Sequence, residues 1–156
     1  MQAITFYIQD KSYAIKSSDI VEIIPLVELQ SLPQSAFFVS GVFDYRGELV
    51  PVIDLSSLIC GKESAKRIST RIILVSIPDT EGVKQLTGVI AEKVTKTIDY
   101  TDEELKILAP MKQADAFMGG VLNRVEGVVR FLEITKIPFI ATVENRTEEE
   151  KWKTAS

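Results

Sequence analysis

The residues that most often carry catalysis are scarce in this sequence. It has no histidine and a single cysteine, Cys60, among 156 residues. Without an imidazole there is no Ser-His-Asp or Cys-His relay and no His-ligated metal site. Cys60 follows Ser56-Ser57-Leu58-Ile59, an apolar setting that suits a buried spacer better than a nucleophile. Gly61-Lys62-Glu63 has the glycine-lysine pair of a phosphate loop. However, Ser56 stands at the required upstream glycine and Glu63 at the metal-binding Ser/Thr. Gly119-Gly120 lacks the spacing of a dinucleotide-binding turn. Asp99, Asp102, Glu103 and Glu104 are candidates for a calcium or acid–base cluster, but carboxylates at a helix start also complement its dipole and face solvent. Asp54 is a candidate acid whose repeat partner, Glu133, argues instead for a shared capping role. The enzyme still open is a small β-barrel hydrolase using carboxylates around Asp54 or Asp99. The reading preferred over it assigns no catalytic residue, no cofactor and no metal.

The elements that would position any site are short strands. Ile4, Phe6 and Ile8 alternate with Thr5, Tyr7 and Gln9, the period of a half-buried strand. A polar turn at Gln9-Asp10-Lys11-Ser12 leads into a return strand from Tyr13, and Ile20-Val21-Glu22-Ile23-Ile24 forms a third strand ending at Pro25. Pro33 is placed to open a helical turn through Phe37-Phe38-Val39. Gly41 and the Arg46-Gly47 turn bracket the next strand. Glu48 to Ile53 follows, and Pro51 within it predicts an edge, because proline cannot donate to a ladder. Asp54 is expected to cap a brief helix from Leu55 to Ile59.

From Arg71 the pattern starts again. Ile72-Ile73-Leu74-Val75 echoes the first strand, and Gln85 to Ile90 follows a turn at Pro78-Asp79-Thr80-Glu81-Gly82. Thr101-Asp102-Glu103-Glu104 has the capping-box form and predicts a short helix over Leu105, Ile107 and Leu108. The segment Gly120–Ile137 matches Gly41–Leu58 without a gap, each residue 79 positions on, as Gly120 is from Gly41. Ile15 and Ile20 match Val89 and Val94 at 74. Two copies of a five-strand pattern with short turns predict a mostly β chain of two small barrels. They would form a single domain over residues 1–140, with the sub-barrel boundary near 66–71. The charged tail, 141–156, has no repeat partner from Glu144 onward; it either extends as a helix with Trp152 docked or stays mobile.

Composition narrows the partners. The hydrophobic fraction is 46% and the charged fraction 26%, enough apolar material for a core. A net charge of −4 with no Lys/Arg-rich stretch argues against nucleic acid. No apolar run approaches the ~20 residues that span a bilayer, and Met1 leads directly into a strand pattern, so direct membrane insertion is not expected. One cysteine without a partner fits a reducing, cytoplasmic setting.

One stretch is far more specific. Leu32-Pro33, then Gly41-Val42-Phe43-Asp44-Tyr45-Arg46-Gly47-Glu48-Leu49-Val50-Pro51-Val52-Ile53-Asp54-Leu55, resembles the signature of the CheW-like domain family, the adaptors of bacterial chemosensory arrays. The resemblance runs from about Ile4 to Phe139. It departs at Ala36, where a second proline is common, at Tyr45, usually aliphatic, at Ala91-Glu92, and at Arg130 to Glu133. It implies two five-stranded SH3-like barrels related by a pseudo-two-fold. It also implies an adaptor between the cytoplasmic tip of a chemoreceptor and the regulatory domain of a CheA-type histidine kinase, recruited to membrane-associated arrays. A non-flagellar pathway, in surface motility or cyclic-dinucleotide signalling, is the alternative use of the same domain. Mapped onto this chain, the partner-facing positions implied are Ile20, Glu22, Gly41 and Arg46. Ile23, Val42, Phe43 and Tyr45 extend them as an apolar groove rimmed by Glu22 and Arg46. Two blander readings stand beside this: an exposed Glu22–Arg46 ion pair worth ~0–1 kcal/mol, and a Gly41 required only by its backbone.

Overall fold

The computed structural model describes residues 1–107 and 117–137, with Thr95 described for its backbone alone. Nine strands and one α-helix account for nearly all of the regular structure there. Strands β1 (Gln2–Ile8) and β2 (Lys11–Lys16) form the first hairpin, followed by β3 (Ile20–Pro25). Then come β4 (Val39–Tyr45), β5 (Glu48–Asp54) and helix α1 (Leu55–Cys60). The second half contributes β6 (Arg71–Pro78), the long β7 (Lys84–Asp99), β8 (Met118–Arg124) and β9 (Gly127–Leu132).

The sequence repeat becomes a pair of interleaved barrels. In the first, β3 pairs with β6, β6 with the start of β7, β7 with β5, and β5 with β4. In the second, the end of β7 pairs with β1, β1 with β2, β2 with β9, and β9 with β8. Strand β7 serves both: it follows β6 as far as Ala91 and β1 from Glu92 onward, and Lys93 takes a positive φ of 50° at the changeover. Each barrel therefore draws strands from both sides of residues 66–71, a connection within the fold that ends where β6 begins at Arg71.

The pseudo-two-fold reaches down to single hydrogen bonds. Gly41 lies opposite Val52 and Gly120 opposite Phe131, each after a register shift, with φ of 144° and 146°. An isolated bridge joins Gln30 to Val42 and another joins Lys106 to Val121. Asp54 N donates to Phe38 O at 2.8 Å, and Glu133 N donates to Phe117 O at 2.7 Å. Leu49-Val50 and Val128-Val129 occupy equivalent rungs, as the 79-residue match requires. A shared core lies between the barrels, built from Phe6, Ile8, Ile15, Ile53, Ile73, Val75, Val89 and Leu132 among others. Burying each such side chain contributes ~1.5–3 kcal/mol.

Several local expectations are revised. Strand β5 is not an edge, since β4 and β7 flank it; Pro51 is tolerated because the β7 ladder begins one residue later, at Val52. Pro33 to Phe38 forms successive turns, with Gln34 at φ 58°, and no helical turn, and Val39 already belongs to β4. The Thr101–Glu104 capping box does close, with reciprocal bonds of 3.1 and 3.3 Å. No helix follows over the described residues, because Lys106 is drawn into its bridge with Val121. Cys60 is exposed, at the end of α1, and not the buried spacer expected. Leu108 and the tail, 141–156, lie outside the described residues.

Candidate functional site

The β4–β5 hairpin closes on Arg46 and Gly47 between the paired residues Tyr45 and Glu48. Both turn residues take positive φ, 53° and 83°, the two-residue hairpin geometry whose twist matches its strands. A non-glycine residue in the left-handed region is strained, so something must hold Arg46 there. Asp44 helps, its Oδ1 accepting from Gly47 N at 2.8 Å. Glycine at the second position takes its own positive φ without steric cost, which leaves Arg46 as the one strained residue of the turn.

This turn stands over β3. The Tyr45 hydroxyl donates a hydrogen bond to Glu22 Oε2, and Arg46 Nη2 lies 3.6 Å from the same oxygen. The Arg46 guanidinium also sits 5.0 Å from the Tyr45 ring centroid. The hydrogen bond to Glu22 holds the Tyr45 phenol above its usual pKa, against the opposing charge of Arg46. Tyr45 thus remains a donor throughout the neutral range. The arginine side chain is 77% exposed and its ion pair is single-pronged, so the pair contributes only ~0–1 kcal/mol to folding. Its guanidinium is positioned but largely unspent, which is what a recognition residue needs.

The other expected positions divide. A register shift between Ile20 and Glu22 turns Ile20 onto the shared core, away from Glu22. Ile23, 37% exposed, shares the opposite face of β3 with Val21, 55% exposed. Phe43 is buried in the first barrel and contacts Tyr45 edge-on at 6.3 Å between centroids. Val42 is buried against the segment that carries Gln30. Gly41 is a backbone requirement: a Cβ there would lie 2.4 Å from Gln30 O. The structure therefore brings Glu22, Tyr45 and Arg46 together, leaves Ile23 exposed, and places Gly41, Val42 and Phe43 beneath the surface as support. Val21 was absent from the expected set, although strict alternation about Glu22 marks it as the exposed neighbour of Ile23.

Three of the carboxylate candidates, Asp54, Asp99 and Glu104, have structural partners. Asp54 is buried and accepts from Ser56 N (3.0 Å), Ser57 N (3.4 Å), Ser64 N (2.9 Å) and Ser64 Oγ (2.7 Å). It caps α1 and ties down the loop beyond it. A cleft of about 520 Å³ reaches Asp54, but its oxygens are already engaged. Glu133 has nearly the same backbone angles yet makes no cap bond, so the shared capping role fails at the side chain: the longer arm bonds Thr135 Oγ1 instead. Asp99 accepts from Gln2 Nε2 at 3.3 Å, on the surface. Among the described residues no three His, Cys, Asp or Glu side chains come together to hold a metal ion, and no helix is long and apolar enough to cross a membrane.

With this geometry in view, similarity to known proteins is informative. Residues 2–139 match the family model of the CheW-like domain. A chemotaxis protein CheW from Helicobacter pylori is 27% identical over 143 residues, covering 89% of this chain and 84% of the relative. A chemotaxis protein CheW from Thermotoga maritima is 22% identical, covering 87% and 86%. The crystal structure of the scaffolding protein TtCheW from Thermoanaerobacter tengcongensis superposes with a TM-score of 0.78 at 21% identity, covering 89% of this chain and 88% of that one. Its fold is the pair of SH3-like barrels seen here. A family model that spans both interleaved barrels, rather than one motif, leaves one conclusion: the chain belongs to the CheW-like domain family.

Proposed function

We propose that this protein is a non-catalytic scaffold of chemotaxis signalling, which couples the cytoplasmic tip of a chemoreceptor to the regulatory domain of a CheA-type histidine kinase. The family match across residues 2–139 carries the reading. The cluster of Glu22, Tyr45 and Arg46 is the contact surface in this proposal, with the exposed Val21–Ile23 face of β3 adjoining it. A long cation held over a tyrosine ring, beside exposed aliphatics, suits an amphipathic helix or a barrel edge that presents a carboxylate. The protein would reach membrane-associated receptor arrays through these partners, without inserting into the bilayer.

The test is a titration of the full chain with a kinase regulatory domain and, separately, with a receptor-tip fragment. Arg46→Ala is expected to weaken one of the two complexes roughly tenfold or more, equal to ~1.4 kcal/mol or more. Folding stability is expected to change by only about 0.5 kcal/mol. Normal binding of both partners by a mutant that melts like the parent removes Arg46 from the interface. Failure of the parent chain to bind either partner overturns the coupling role itself.

A further inference from the structure

The shared core obeys the pseudo-two-fold, but the two barrel interiors do not. Around the shared core most related positions are apolar in both halves, Phe6 with Val75, Ile8 with Ile77, Ile15 with Val89 and Ile53 with Leu132, while Tyr13 answers to Thr87. Inside the first barrel, Phe43 and Leu74 are packed together with Leu86 and Tyr45. Their counterparts in the second barrel are Leu122, Thr5, Ser12 and Arg124. Phe43 has given way to the smaller Leu122, and the other three have become small or polar groups, so this side of the core loses volume and keeps a space. The space is there, a cleft of about 250 Å³ walled on its apolar side by Ile98 and Val129.

The charge around it is unlike the rest of the molecule. Lys93, Lys96 and Arg124 line the cleft against one carboxylate, Glu126, in a chain of net charge −4. Lys96 is the counterpart of Glu22, so the charge at this place is reversed between the barrels. Among the described residues Lys96 makes no ion pair. Arg124 is anchored by Asp99 O at 2.6 Å and Glu104 at 3.2 Å, both to Nη2, while its Nε is buried with no hydrogen-bond partner among the described residues. That nitrogen is closed to solvent, so a ligand in the cleft would meet the rest of the guanidinium, whose side chain is 30% exposed. Lys93 Nζ sits 5.3 Å over the Tyr7 ring at the same cleft.

We propose that this cleft binds a small organic anion, a carboxylate or a phosphate monoester on a short apolar body. Its volume falls below the ~300–1,000 Å³ of drug-sized pockets, so the ligand is small. The apolar wall takes the body, and Lys96 with the exposed part of the Arg124 guanidinium takes the charge. The proposal does not depend on the coupling role, which was placed on the other barrel.

The test follows backbone amide resonances of the full chain during titration with hexanoate and with phenyl phosphate. Hexanol and inorganic phosphate serve as controls for the apolar body and the charge alone. Saturable shifts centred on Thr5, Ser12, Lys96 and Val129 are expected with at least one of the two anions, and the one that binds identifies the headgroup. Lys96→Glu, at an exposed position, should weaken binding roughly tenfold or more. Ser12→Leu, which restores the counterpart Leu86, should abolish it by filling the cleft. Should Ser12→Leu fail to fold, Lys96→Glu alone decides. The proposal is overturned by the absence of saturable shifts with either anion at millimolar concentration. It is equally overturned by shifts that a control reproduces, or that survive Lys96→Glu unchanged.

Discussion

Gly41 is the position where a binding role and a folding role can be told apart by measurement. Its φ of 144° lies where L side chains are strained, and a Cβ would meet Gln30 O at 2.4 Å and Gln30 C at 3.0 Å. Backbone atoms cannot swing away as a side-chain end can. Gly41→Ala must therefore push the Gln30 segment outward and break the bridge in which Gln30 N and Val42 N each donate at 2.8 Å. The strain costs ~1–3 kcal/mol, and two lost hydrogen bonds cost ~0.5–1.5 kcal/mol each. The expected loss is about 3–5 kcal/mol, much of the ~5–15 kcal/mol that a domain possesses. In urea, with a slope of ~2 kcal/mol/M, the unfolding midpoint should fall by about 2 M. Gly120→Ala is the internal control. Its φ is 146°, but the nearest atoms, Lys106 O and Leu105 Cγ, are at 3.0 Å and Leu105 is a side chain able to yield. It should cost less, about 2–3 kcal/mol. A Gly41→Ala loss below ~1 kcal/mol, or one smaller than that of Gly120→Ala, would refute this reasoning. A stable Gly41→Ala that no longer binds its partner would make the glycine a contact residue after all.

Asp54→Ala removes a helix cap and leaves the Ser64 amide and hydroxyl without their acceptor, so thermal or urea unfolding should show a loss of about 2–4 kcal/mol. Glu133→Ala removes no cap bond and should stay within about 0.5 kcal/mol; equal costs would mean the two carboxylates are interchangeable. Asp19 titrates above its usual range, first because it is buried and then because Glu133 is near, with Lys16 and Lys84 opposing. Its protonated form is therefore favoured by folding: the contribution is fully present below the unfolded value of 3.8 and is lost as pH rises through the higher folded value. Asp19→Asn should accordingly melt higher than the parent at about pH 7 and level with it at about pH 3, by calorimetry across that range; a mutant that melts lower at pH 7 contradicts the sign.

How much of this could be read without coordinates depends on the range of the interaction concerned. The strands of β1, β3, β5 and β6, the Asp54 cap and the Arg46-Gly47 turn follow from alternation, turn residues and capping, which act over a few residues. The 79-residue match was equally legible, since duplicated strands keep their apolar rungs and their glycines. The family signature around Arg46 marked the candidate site for the same reason: its pattern is contiguous in sequence. The site's composition was less legible. Glu22, Tyr45 and Arg46 do meet, but Val42 and Phe43 are buried beneath them, and nothing local separates a buried from an exposed apolar residue in a strand flanked on both faces.

Tertiary structure alone decided which strand pairs with which. The repeat suggests two barrels in succession, yet the third strand of each copy is laid against the first strand of the other, β3 on β6 and the end of β7 on β1. Every strand in a repeat has the same local preferences whichever copy it joins, so only the burial gained between the barrels selects the exchange. The register shift that turns Ile20 from Glu22 and the continuation of β7 through both barrels follow from that choice. So does the cleft of the second barrel, where Thr5 and Ser12 of the first hairpin meet Lys96 and Arg124 from strands far along the chain. Local propensity determines the strands; the long-range burial of Phe6, Ile8, Ile73, Val75 and their neighbours determines what those strands enclose.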